Sequence, residues 1–475
     1  MGAIVLLHRW LGIAFCLLFA MWFATGIVMH FVPFPALTEA ERFAGLLPLE
    51  PGKVRVAVAD AVAASAIADA TRVRLLQRDD GPVFVVSGPS RTRALHAFDG
   101  RDASVTSADV ALTIARDHAR GRGLDDGRAA VIARSDYDQW TVPNGFDRHR
   151  PLFRVALGDQ AGTELYVSSA TGEVVLETTR WKRGWNYAGS VLHWIYPTLL
   201  RSNWGLWDRV VWTLSLVALV AALLGAVLGV ARVRRRAGRL VSPYRGWHAL
   251  HHVLGLATTM FVLSWIFSGW LSMDHGRLFS RGQLTPAEAA MVDAVPDWSR
   301  ASSLARPPLA SAAREVEWFA FDGTLHRRER IGLDRQILIS ATDGTDGRSG
   351  VLSVNEIGAL MNRLAVGCGM PTVLADDDAY PGRSSLPGAP VLRTRCGELW
   401  FDVDGADGRI LQRWNASRRA YRWMYSALHT LDVPVILASP RLQDVVIVGL
   451  CTLGLMFSIT GIVIGWRRVR VSRSA

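Results

Sequence analysis

Cysteine is scarce in this chain, with four residues among 475. None stands in a CxxC or CxxCH arrangement, which excludes a cysteine-ligated zinc ribbon and covalent c-type haem attachment. No cysteine sits in a lipobox-like context, and position 6 is Leu, so acylation at the N-terminus is not indicated. No G-x-G-x-x-G occurs in a strand-turn-helix setting and no P-loop is present, which argues against a built-in nicotinamide, flavin or nucleotide domain. Formal charge is missing from four long stretches: the segment that follows Arg9, then Val210 to Ala231, Gly246 to Met273, and Val445 to Trp466.

What fills those stretches is mainly Leu, Val, Ile, Ala and Phe, in a chain that is 50% hydrophobic. Each offers about 20 residues, the length a helix rising ~1.5 Å per residue needs to cross ~30 Å of hydrocarbon. The reading is a membrane protein with four transmembrane helices, at 8–32, 207–231, 247–273 and 444–466. The first apolar run, Leu11 to Val32, is longer than a signal-peptide core and no A-x-A-like site follows it, so it reads as a retained span. Short loops rich in Lys and Arg stay cytoplasmic. Here "ARVRRRAGR" (Ala231 to Arg239) closes the second span and "RRVRVSR" (Arg467 to Arg473) follows the fourth. Both termini and the connection 232–246 are therefore expected inside, and 33–205 and 274–440 outside, in the periplasm of a bacterium. Much of the +11 net charge belongs to these flanking clusters, so it reads as topology rather than nucleic-acid binding. Cys16 and Cys451 fall within spans as small apolar residues, whereas Cys368 and Cys396 fall in the second outer region, where an oxidising compartment makes a disulfide the expectation.

Span, large region, span, repeated once, points to an internal duplication. Gly225 and Gly229 lie 17 and 21 residues after Asp208, and Gly461 and Gly465 lie 17 and 21 after Asp444. "HRWLGI" (His8 to Ile13) aligns with "HHVLGL" (His251 to Leu256), which places Thr25-Gly26 on Ser268-Gly269. Both outer regions close on a strand-turn-strand pattern, "ELYVSSATGEVV" (Glu164 to Val175) and "ELWFDVDGADGRIL" (Glu398 to Leu411). Helical spacing in "SADVALTIARDHARGRG" followed by the alternating "PLFRVALG" makes the outer domains α+β. "VAVADAVAASAIAD" followed by "PVFVVSG" adds a second helix-and-strand unit, so the first outer region is expected to hold two small modules. Asp376 to Pro390 reads as a loop.

Eight of the 12 histidines lie at or near span ends. A parallel duplication sets equivalent residues around an axis along the membrane normal, so a planar cofactor on that axis meets the same residue from each half. His8 pairs with His251 by the alignment, and His193 with His429. Two such imidazoles are the ligand set of a b-type cytochrome. Other pairings stay open. His252 and His248 are alternatives near the inner face, and as an i, i+4 pair they also suit zinc or copper. His30 and His275 are alternatives near the outer face, where Met273 aligns with His30. His96, His118, His149 and His326 read as ordinary residues of the outer domains. Trp181, Trp185, Trp194, Trp204 and Trp207 read as an interfacial belt.

The "HRWLG" and "HHVLGL" openings, the strand-turn-strand closures, "LHW" (Leu192 to Trp194), "LHT" (Leu428 to Thr430) and the Gly-rich, arginine-capped spans together resemble the PepSY-associated transmembrane family over nearly the whole chain. Within that family the chain is similar to bacterial inner-membrane haem proteins that reduce ferric siderophores, ferrioxamine-type reductases included. The resemblance implies two PepSY-like periplasmic domains, haem b, two per chain, and electron transfer to a ferric siderophore in the periplasm. The donor would be quinol or a cytosolic reductase. His8, His251 or His252, His193 and His429 match the family's recurring histidines. The stretch "WIYPTLLRSNWGL" after His193 is longer than that pattern. A second reading, from another class, is a non-redox membrane anchor whose PepSY-like domains bind or restrain a periplasmic partner such as a peptidase. A metal transporter is a third, disfavoured by span interiors with few polar groups.

Overall fold

The computed structural model describes residues 2–236, 239–292, 295–305, 308–310, 312–340 and 348–473. The chain opens with a membrane-length helix, α1 (Gly2–Phe31), then a hairpin-linked trio, β1 (Arg72–Arg78), β2 (Gly81–Ser87) and β3 (Thr92–His96). Helix α2 (Ala108–Gly121) precedes β4 (Ala130–Ser135), β5 (Leu152–Ala156), β6 (Glu164–Ser168) and β7 (Val174–Thr178), and the half ends in the span α3 (Trp204–Ala231). A short hairpin, β8 (Arg234–Arg236) with β9 (Arg239–Val241), occupies the central connection expected as a plain loop. The second half repeats the plan. It runs from α4 (Gly246–Ser272) through β10 (Glu315–Phe321), β11 (Thr324–Arg330), β12 (Gln336–Ser340) and β13 (Arg348–Ser349) to α5 (Val354–Leu364). It closes with β14 (Thr372–Val373), β15 (Val391–Cys396), β16 (Leu399–Asp404), β17 (Ile410–Trp414) and α6 (Pro440–Arg473).

Helices α1, α3, α4 and α6 are long and apolar enough to cross a membrane. In hydrocarbon every backbone N–H and C=O has to be satisfied within the segment, which a helix does by itself. All four start earlier than the sequence predicts: α1 takes in the apolar Gly2–Leu7, and α6 runs back through Pro440–Gln443. They form a ring in which α1 packs most on α6, α3 on α4, and each half's own pair less. The bundle is thus held chiefly by contacts between the repeats.

The expected elements of the sheet regions are present, including the Val58–Ser65 helix and both closing hairpins. α2 is capped by Ser107, and α5 by a Ser353 and Glu356 capping box. Each helix covers one face of a four-stranded antiparallel sheet, β4-β5-β6-β7 or β14-β15-β16-β17. Cys368 and Cys396 are disulfide-bonded. The two sheet-rich regions are joined to each other. β1 pairs antiparallel with β10, so strands of both halves make one seven-stranded sheet, β13-β12-β11-β10-β1-β2-β3.

That junction carries a buried ion network. Glu315 on β10 accepts from Arg42 at 2.6 Å and from Arg330 at 2.8 Å, and lies 3.4 Å from Arg74 on β1. Arg74 also grips Glu173 at 2.6 Å, in the turn of the β6–β7 hairpin, and Arg72 reaches Asp407 at 2.7 Å, in the turn of the β16–β17 hairpin. Two neighbouring ion clusters, one around Glu315 and one in which Arg72 also pairs with Glu317 on β10, therefore tie the two four-stranded sheets to the shared one. Burial by itself raises the Glu315 carboxyl, but the charges of Arg42, Arg74 and Arg330 outweigh it and hold the group at about 2. A carboxylate depressed in the folded state stabilises the fold above its ordinary value of 4.5, and that contribution is lost as pH falls from there toward 2. Glu315→Gln leaves three guanidinium groups short of a charge partner. It should cost about 3–5 kcal/mol, the scale for breaking a buried pair from one side. Thermal unfolding of the variant and the parent at pH 7 checks this; equal midpoints would refute the role assigned to Glu315.

Candidate functional site

At the sheet end of the bundle, His193 and His429 arrive by the same local route. Thr179 and Asn415 cap the short helices Arg180–Asn186 and Ala416–Arg422. Each helix widens into a π-turn, Tyr187–Val191 and Trp423–Ala427, and the histidine follows two residues later. π-turns concentrate at functional sites because they re-aim a side chain at a cost to the helix. Two residues beyond each histidine the backbone turns left-handed, at Ile195 (φ 50°) and Leu431 (φ 52°). A branched or bulky side chain pays strain there. The ring centres of His193 and His429 lie 6.4 Å apart. With metal–imidazole bonds of about 2 Å, one metal atom held between two such rings sets their centres about 6 Å apart.

The orientation of each ring is set from the spans. Thr25 on α1 gives its hydroxyl proton to the Met21 carbonyl at 2.7 Å, so it accepts from His193 Nδ1 at 2.9 Å. Ser268 on α4 donates to the Trp265 carbonyl at 3.1 Å and accepts from His429 Nδ1 at 3.1 Å. At the arginine end, Thr460 on α6 donates to the Phe457 carbonyl at 2.6 Å and accepts from His251 Nδ1 at 2.8 Å. His8 Nδ1 lies 3.2 Å from the Ala221 carbonyl, which can only accept. All four imidazoles therefore carry the proton on Nδ1 and present an Nε2 lone pair. That is the metal-binding tautomer, fixed by the hydrogen bond on the other nitrogen. No hydrogen bond reaches Nε2 of any of the four among the described residues.

Glycines make room for these rings. Gly225 on α3 faces His8, and Gly461 on α6 faces His251. Gly26 and Gly269 stand beside His193 and His429. These are the glycine pairs on which the repeat was aligned. His8 and His251 line a cavity of about 1030 Å³ inside the ring of spans. Its walls include Ile13, Phe19, Val262 and Phe457, and its mouth carries Arg9, Arg232, Arg245, Arg467 and Arg468. Between this cavity and the sheet-end pair the bundle is filled by Phe23, Phe261, Trp265 and their apolar neighbours.

A family model described as PepSY-associated TM region matches residues 5–468. The chain belongs to the PepSY-associated transmembrane family. No curated protein matches it.

In this PepSY-associated protein the remaining span-end histidines are engaged differently. His252 donates from Nε2 to the Gly229 carbonyl at 2.8 Å and accepts at Nδ1 from Ser242 at 2.9 Å. Both nitrogens are used, so His252 fastens the central connection to α3 and is not available with His248 as an i, i+4 metal pair. His248 is exposed at the cavity mouth. His30 Nε2 pairs with Asp444 at 2.7 Å, and His275 Nδ1 with Asp208 at 2.6 Å, so each ties the sheet-end terminus of one span to the start of another. His96, His118, His149 and His326 lie in the sheet regions. No group of three or more His, Cys, Asp or Glu suited to a bare metal ion occurs among the described residues. Sequence reasoning did not find the orienting roles of Thr25, Ser268 and Thr460. Thr25 and Ser268 stood in the repeat alignment, but their chemistry emerges only once the rings lie against them.

The close approach at Gly225 is directly testable. A Cβ there would lie 2.7 Å from His8 Cε1, whereas at Gly449 on α6 nothing lies within 4 Å. Helix propensity alone favours Ala over Gly by up to about 1 kcal/mol. Gly449→Ala should hold or raise the melting temperature of the detergent-purified protein, and Gly225→Ala should lower it. A rise for Gly225→Ala would show that His8 does not sit where described.

Proposed function

We propose that the chain binds two b-type haems and carries electrons across the bacterial inner membrane to a ferric siderophore in the periplasm, aiding iron release. The observation that carries this reading is the matched set of four histidines, each with Nδ1 tied to its scaffold and an Nε2 lone pair to offer. Two imidazoles per site are too few for a bare zinc or copper ion, which takes three or four protein donors. They suit an iron that brings four donors of its own in a porphyrin. The cavity at His8 and His251 has the size of a cofactor pocket, with apolar walls for a flat ring and an arginine rim for acidic edge groups. When bound, haem supplies a one-electron iron couple whose potential the protein sets through ligands, burial and hydrogen bonds.

The residues do the rest. His8 and His251 hold one site near the arginine-rich face, and His193 and His429 the other near the sheets. Neutral imidazoles add no charge to an apolar interior. The Phe23, Phe261 and Trp265 cluster keeps water out of the path between them. Arginine flanks at both span ends of one face support a cytoplasmic location for it and for both termini. The Cys368–Cys396 disulfide supports an oxidising compartment on the other. With no nucleotide-binding motif in the chain, the electrons come from quinol or a cytosolic reductase.

Visible spectra of the purified protein before and after dithionite, with a pyridine haemochrome assay, test the proposal. The expected result is a Soret band that shifts on reduction, sharp α and β bands, and a haem-to-chain ratio of about two. The double variant His193→Ala with His429→Ala should lose half of that haem, and His252→Ala should keep all of it. A protein that neither contains haem nor takes up added haemin would sink the reading in favour of a membrane-anchored PepSY module that binds a periplasmic partner.

A further inference from the structure

Resting on that reading, the geometry points to the second repeat alone as the electron exit, through Tyr425 and Tyr421 stacked outward from His429. Three ring contacts run in series. Tyr425 stacks on His429 with centroids 5.7 Å apart and planes 25° apart. Tyr421 lies 5.4 Å from Tyr425, and Phe279 lies 5.7 Å from Tyr421. Phe279 follows the exposed segment His275, Gly276, Arg277 and Leu278, so the series surfaces beside a basic residue. Arg418 covers Tyr421, with its guanidinium carbon 5.1 Å from the ring centre.

In the first repeat, among the described residues, no tyrosine or tryptophan ring stacks on His193; its rings run instead from the neighbouring Trp194 through Phe34 and Trp140 to Tyr187, off the ligand ring. The positions four and eight residues before the histidine, Tyr425 and Tyr421 in the second repeat, are Gly189 and Trp185 in the first. Gly189 packs on α1 so tightly that a Cβ would come 2.9 Å from Val28 Cγ1, which leaves no room for a ring. Trp185 is exposed and meets Trp181, not His193. The duplication that builds a symmetric ligand pair is thus broken at the next layer out. In the step itself one electron leaves the site held by His193 and His429, and the chelated ferric iron becomes ferrous. No bond of the protein forms or breaks, and the tyrosines stay reduced and protonated. Their part is positional: they keep the donor in packed contact with the surface where the chelate docks.

The test uses the haem-loaded full chain, reduced with dithionite and mixed with a ferric hydroxamate chelate while the α band is followed in stopped flow. Tyr425→Leu and Tyr421→Leu should slow re-oxidation roughly tenfold or more, on the scale by which misplacing a group away from the chemistry alters a rate. Tyr425→Phe and Trp185→Leu should match the parent. Two further readouts separate this from general damage: haem content should stay at the parental value in all four variants. The low-spin electron paramagnetic resonance signal of the sheet-end site should shift in Tyr425→Leu, which frees the His429 ring, and not in Tyr421→Leu or Tyr425→Phe. Parental rates in both leucine variants, or equal slowing in Trp185→Leu, would overturn the inference while leaving the haem reading intact. A parent protein without haem would overturn both.

Discussion

A ring nitrogen placed among lipid-facing helices must be hydrogen-bonded or bound, because leaving a polar group unpaired away from water costs about 1–3 kcal/mol. Four histidines here meet that demand on one nitrogen only. Each Nδ1 is satisfied by a hydroxyl or carbonyl of a span, and each Nε2 is left to a partner that the protein chain does not itself provide. The hydroxyls cannot be rotated away at will, since Thr25, Ser268 and Thr460 spend their own protons on carbonyls one turn back in the helix. The tautomer is therefore written into the helix backbone. Much else in the bundle serves this arrangement: the glycines beside each ring, the π-turns that deliver two of them, and the strained residues that follow.

The strain at Ile195 and Leu431 and the widened turns before His193 and His429 recur at equivalent positions in the two halves. Packing accidents do not repeat across a duplication whose surrounding side chains have diverged. Strained backbone persists where the surroundings over-determine it, and here the determinants are the caps at Thr179 and Asn415 behind each turn and the span hydroxyls in front.

The bundle was legible in the sequence because charge is excluded from hydrocarbon, so four uncharged runs, each with an arginine at one end, mark four spans. The histidine pairs were legible because a duplication leaves residues in register: Asp208 with Asp444, Gly225 with Gly461, Thr25-Gly26 with Ser268-Gly269. The shared sheet was not. Alternating strands such as "RVRLLQR" and "EVEWFAF" announce their type but not their partner, and the β1–β10 pairing joins residues more than two hundred positions apart. Nor was the fate of His252, His30 and His275. Their spacing on a helix is compatible with a ligand; only the structure shows Ser242 and Gly229 taking both nitrogens of His252, and Asp444 and Asp208 each holding one nitrogen of His30 and His275.

The shared sheet explains why the sites at the bundle's two ends can be built from both halves. His193 comes from the first repeat and His429 from the second, as do His8 and His251, so neither half holds a complete pair. Their separation depends on how the halves are set against one another. In the membrane that setting comes from α1 against α6 and α3 against α4, where apolar packing has no hydrophobic drive to favour one register over another. Outside the membrane it comes from strand pairing, which slips only in whole residues, and from Arg42 and Arg74 on Glu315 and Arg72 on Glu317 of β10, charges that cannot be moved one residue along without being stranded. Buried ion pairs are weak sources of stability but well suited to selecting a register. Ion pairs that look remote from the histidines are thus what fix the halves that carry them, and the rigid sheet serves as the jig for a histidine spacing that the spans alone would leave loose.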